Sequence, residues 1–158
     1  EAHGAGAAAS TGGSPAAPAT APAQAALPGH EDEKTTPSAP PTPDPCRLVS
    51  RARAERIVGT RLRASFLAPQ GPTCIYRAAR GARVITLAVQ ESSLRAMADG
   101  VSERRSVAVG GRRALCIGRD SATLLVRLSQ RRTLVVGAPC AVGRRLAAHA
   151  VDRLDATS

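Results

Sequence analysis

The chain has 158 residues, with 22 Lys and Arg against 12 Asp and Glu, a net charge of +10, and only one Phe, one Tyr, one Met and no Trp. This length suits one modest domain, and the charge attracts anionic partners. No run of 18 apolar residues occurs, which excludes a transmembrane helix from the sequence as given.

Residues 1–45 are rich in Ala, Pro, Gly, Ser and Thr, and Leu27 is their only large aliphatic residue. Such a segment buries too little apolar surface to offset its ordering entropy. It is expected to be a disordered tether, spanning roughly 35–40 Å as a flexible coil. Lacking an initial Met, the chain reads as processed. The tether holds Glu1, Glu31, Asp32, Glu33 and Asp44 against Lys34, so residues 46–158 carry +14 and all their basic residues are Arg. A GC-rich genome explains the bias towards Arg, Ala, Gly and Pro. The physical consequence is still a cationic domain. Glu1-Ala2-His3 has the form of a Cu(II) or Ni(II) site if Glu1 is the free amino terminus. Any three-residue end matches that form by chance, so no metal is expected and His3 is only a weak candidate.

The folded part opens at Pro45 and Cys46. Ser50 is a helix N-cap, RARAERIV a short helix and Gly59 its left-handed stop. TRLRASFLA alternates, with Leu62, Ala64 and Phe66 on one face, and predicts a half-buried strand. Pro69, Gly71 and Pro72 end it. TCIYR and RVITLAV form a hairpin around AARGA. SSLRAMADG gives a short helix ended by Gly100. SVAVGGRRALCIG is a β-rich stretch broken at Gly110–Gly111, and SATLLVRLS with RTLVVGA makes a second hairpin. In the last segment Val142, Leu146, Ala150 and Leu154 recur at helical spacing, with Ala147 and Val151 beside them. Strands that come in hairpins form an antiparallel sheet. The expected fold is therefore α+β, with about six strands, helices on one face and two disulfides. The two halves share an order of elements, but their residues do not establish a repeat.

Cys46, Cys74, Cys116 and Cys140 all lie in the folded part. No C-x-x-C pair occurs and no His neighbours a Cys, so zinc spacings are absent. An even count in a small domain with few aromatic residues points to disulfides and an oxidising compartment. Four cysteines allow three connectivities. Sequence proximity favours Cys46–Cys74 and Cys116–Cys140 without deciding the matter.

No nucleophile elbow, phosphate loop, dinucleotide fingerprint, zincin motif or EF-hand is present. His149 and Asp152 lie three apart on the final helix and read as a solvated pair with no nucleophile to serve. An enzyme is not expected, and neither is a cofactor. Arg51, Arg53 and Arg56 on the first helix, with Arg61 and Arg63 on the following strand, are candidates for an anionic ligand. Nucleic acid suits the charge, but stacking platforms and a recognition helix are lacking.

PCRLVSRARAERIVG, GPTCIYR, VITLAV and the closing amphipathic helix together resemble the small cell-envelope lipoproteins of actinobacteria that carry an uncharacterised conserved domain. The resemblance covers about residues 45–155 and rests on Cys46 with Leu48 and on Cys74 with Tyr76. Its layout is also similar to the extracellular sensor domains of some actinobacterial Ser/Thr kinases. The resemblance implies export through a signal peptide and surface attachment by a lipid anchor, although no lipobox Cys is visible. It brings no catalytic residues. The expected function is a secreted or surface-anchored binding or sensor module for an anionic envelope component or envelope protein. The alternatives are a basic intracellular nucleic-acid-binding protein with reduced cysteines and, behind it, an envelope enzyme.

Overall fold

The computed structural model describes residues 42–120 and 122–157. The tether up to residue 41, including His3, lies outside the described residues. Thr42–Pro45 already belong to the packed part. Pro45 is buried, the Asp44 side chain accepts the Cys46 N–H at 2.9 Å, and Thr42 Oγ1 donates to Glu91 at 3.4 Å.

A 3-10 turn at Pro45–Arg47 leads into helix α1, Arg51–Val58. Ser50 accepts the Arg53 N–H at its start, and Gly59 closes it with φ +73°, a left-handed angle that costs glycine little. Seven strands follow: β1 Phe66–Leu67, β2 Thr73–Arg77, β3 Val84–Gln90, β4 Arg104–Val109, β5 Arg112–Ile117, β6 Thr123–Arg127 and β7 Thr133–Gly137. Helix α2, Leu94–Met97, joins β3 to β4, and helix α3, Cys140–Asp155, closes the chain. The strands form one antiparallel sheet in the order β1-β2-β3-β7-β6-β5-β4. The first three strands run from one edge of the sheet to its middle. The chain crosses by α2 to the far edge and returns through β4, β5, β6 and β7 until β7 meets β3. The α+β class and both expected hairpins are present.

Alternation divides the sheet into two faces. Cys74, Tyr76, Ile85, Leu87, Cys116, Leu124, Val126, Leu134 and Val136 point to one face, where α1 and α3 cover them through Ala54, Ile57, Leu146, Ala147 and Val151. Leu115 and Leu125 point the other way and meet Leu94 and Ala98 of the α2 segment. The helices therefore do not all share one face. SSLRAMADG shows only one buried turn, and nothing in its composition says which side of the sheet it takes.

Both disulfides lie in the main core and follow sequence proximity: Cys46–Cys74 with Cα atoms 4.9 Å apart and Cys116–Cys140 at 5.8 Å. The first ties β2 to the turn before α1, and the second ties β5 to the start of α3. Two cross-links of this kind fit an oxidising compartment.

Tyr76, two residues from Cys74 on β2, is almost wholly buried. Its hydroxyl donates to the Val49 carbonyl at 2.6 Å. Burial, and then the Asp44 charge, push its pKa from 10.0 up to about 12. The folded state therefore resists ionisation more than the unfolded chain does. The stability that follows is complete below pH 10 and is lost as pH rises towards about 12. Tyr76→Phe leaves the Val49 carbonyl buried without a donor, so it should cost about 1–3 kcal/mol in chemical denaturation. It should also flatten that alkaline loss.

Candidate anion-binding cavity

The sheet register assembles a group of arginines that are far apart in sequence. Arg104 lies opposite Ile117, Ser106 opposite Leu115 and Ala108 opposite Arg113. Leu115 lies opposite Leu125 and Ala114 opposite Val126, so one further step along the same ladder sets Arg113 opposite Arg127. Positions 104, 106, 113, 115, 125 and 127 therefore share the α2 face. Helix α2 lies along one side of them. Its start is fixed where Thr133 Oγ1 donates to the Ser92 carbonyl at 2.7 Å, and its end where Arg104 reaches the Ala98 carbonyl at 3.4 Å.

Between α2 and β4–β6 lies a cavity of about 650 Å³. Leu94, Ala98 and Leu115 supply its apolar floor. Arg95, Arg104, Arg113 and Arg127 line it, against a single carboxylate, Asp99. Among the described residues, the side chains of Arg95, Arg113 and Arg127 have no hydrogen-bond or ion-pair partner. Other arginines of the domain are engaged: Arg132 pairs with Glu91 at 2.7 Å, and Arg112 with Asp155 at 2.6 Å and with the Leu128 carbonyl. Like charges facing each other across two strands are unfavourable, so the Arg113–Arg127 pair gains most from a bound anion. Ser93, Ser106, Ser129 and Gln130 complete the polar lining.

The arginines singled out from the sequence occupy another part of the molecule. Arg51, Arg53 and Arg56 are exposed on α1, across the sheet from the cavity. Arg61 and Arg63 are exposed on either side of the Leu62–Ala78 bridge. Glu55 pairs with Arg51 at 4.0 Å and accepts the Leu62 N–H at 2.9 Å, which places a counter-charge in the middle of that patch. The cavity arginines escaped sequence reading because Arg104, Arg113 and Arg127 stand on three different strands. The one available signal was an Arg two residues from an apolar residue in both β5 and β6, Arg113 with Leu115 and Arg127 with Leu125.

His149 and Asp152 form no ion pair with each other, and no group of three or more His, Cys, Asp or Glu that could hold a metal occurs among the described residues. No helix among them is long and apolar enough to cross a membrane. No family model, curated protein or solved structure matches the chain.

Proposed function

We propose that this chain is an exported, non-enzymatic binding or sensor module of the cell envelope, held at the surface or secreted, whose folded domain takes an anionic ligand or an anionic segment of a partner protein. The observation that carries this reading is a cavity lined by three arginines without partners, in a domain closed by two disulfides. The bridges favour an oxidising compartment over the reducing cytoplasm. The remaining cationic surface, Arg51, Arg53, Arg56, Arg61 and Arg63 included, supplies a long-range field that raises the encounter rate with anions. Residues 1–41 would act as the spacer, with or without a lipid anchor preceding them.

The test is calorimetric titration of the full chain with heparin, polyglutamate and inorganic pyrophosphate at several salt concentrations. At least one should bind, more weakly as salt rises. The R95Q/R113Q/R127Q variant should lose about ten-fold or more of that affinity, as expected when charge-assisted hydrogen bonds are removed. R51Q/R53Q/R56Q should weaken binding far less than the cavity variant does. Parent and cavity variant binding equally, or no binding by the parent, would overturn the proposal.

A further inference from the structure

We infer that the cavity takes a phosphomonoester on a hydroxylated, sugar-sized body, with its phosphate seated between Arg113 and Arg127. This rests on the binding reading above and gives it a ligand class.

The two ends of the cavity differ in chemistry. Arg113 and Arg127 stand side by side on β5 and β6, both exposed and without partners among the described residues. The start of α2 overlooks that end, since Arg127 lies opposite Thr133, whose hydroxyl holds the Ser92 carbonyl. The hydroxyl oxygens of Ser93 and Ser129 are already acceptors, from the Ala96 N–H at 3.1 Å and the Arg131 N–H at 3.2 Å. Their own protons remain to be donated. This end therefore offers two guanidinium forks and two hydroxyl protons, and no carboxylate. Two positive charges match a dianion better than a single carboxylate, and donors that converge from two strands and two turns suit the three terminal oxygens of a phosphate ester.

At the other end Arg104 is held by the Ala98 carbonyl, next in sequence to Asp99, and Asp99 is the only lining group that accepts but cannot donate when ionised. The span follows from the register. Arg104 lies opposite Ile117, four residues along β5 from Arg113, or about 13 Å. Leu115 lies between the two ends, under the open part of the cavity. A phosphate at one end, an apolar floor and a carboxylate that accepts hydroxyl protons at the other describe a phosphorylated sugar or polyol. The same phosphomonoester could be free in solution or displayed on a lipid headgroup.

The test titrates the full chain with inorganic phosphate, inorganic sulfate, glucose 6-phosphate, glucose and galacturonate, and in parallel with phosphatidylcholine vesicles that carry phosphatidic acid. Glucose 6-phosphate should bind at least ten-fold more tightly than sulfate or galacturonate. Its affinity should fall as pH drops from 7 to 5, through the second phosphate pKa near 6. R113Q and R127Q should each weaken it about ten-fold, and D99N should weaken glucose 6-phosphate while leaving inorganic phosphate unchanged. Preference for the vesicles would keep the phosphomonoester, place it on a lipid and overturn the hydroxylated body, whereas preference for the soluble ester would support a free sugar phosphate. Sulfate or galacturonate binding as tightly as glucose 6-phosphate, still sensitive to R113Q, would overturn the phosphomonoester and leave the binding reading standing. Insensitivity of every probe to R113Q and R127Q would overturn both.

Discussion

Removing the bridges with C46A/C74A and C116A/C140A together should unfold the domain or lower its melting temperature by on the order of 20 °C or more. The loops closed by the two pairs have sequence separations of 28 and 24 residues. Each is worth about 3 kcal/mol in the chain-entropy description. Domains of this size have about 5–15 kcal/mol in total, so losing both bridges removes a large share of the reserve. The core has few other resources, since Tyr76 is its only buried aromatic side chain among the described residues and most of the rest is Leu, Val, Ile and Ala. Each pair removed alone should lower stability by about 3 kcal/mol, read by circular dichroism in denaturant. Unchanged melts for the quadruple variant would show that the apolar core holds the fold unaided.

Leu124→Ala should be among the most damaging single truncations, at about 4 kcal/mol, or roughly 15 °C in melting temperature. Leu124 is fully buried on β6, opposite Val136 on one side and Cys116 on the other. Helix α3 rests directly on it. A Cβ placed on Gly143 would come within 3.3 Å of the Leu124 Cβ, so glycine is what lets the helix backbone approach. The Cys116–Cys140 bridge holds the start of α3 in place, which prevents the helix from sinking into the space left behind. Gly143→Leu attacks the same contact from the helix side and should cost about 1–3 kcal/mol by overpacking. Leu67→Ala, at an exposed edge position, should stay within about 0.5 kcal/mol of the parent.

Much of the fold was legible because its signals are local. Ser50 and Gly59 bracket α1, and Gly110 and Gly111, both at positive φ, turn β4 into β5. The β2–β3 and β6–β7 hairpins follow from their turns. Residues 61–67 were misread for a physical reason. Leu62 pairs with Ala78, whereas Phe66 pairs with Ile75, so four steps on one chain match three on the other. The extra residue slips the register by one and turns Phe66 onto the opposite face from Leu62. Leu62 is buried, while Phe66 is 40% exposed beneath the Arg77 guanidinium. Strict alternation, which puts both residues in the core, cannot show such a slip. The cavity was invisible for a related reason. Its arginines acquire a common face only through the pairing of β4, β5 and β6 and through the side of the sheet that α2 takes. A dense run such as Arg51–Arg53–Arg56 draws the eye in sequence, yet a helix carries it away from any concave surface the register builds.

The most direct measurement is a ¹H–¹⁵N NMR titration of the full chain with glucose 6-phosphate. An anion seated as described should shift the amides of Ser93, Arg95, Arg113, Leu115, Arg127 and Ser129 in one saturable step and leave those of Arg51, Arg53 and Arg56 in place. Shifts confined to α1 and residues 60–63, or spread over every exposed arginine without saturation, would contradict a cavity site.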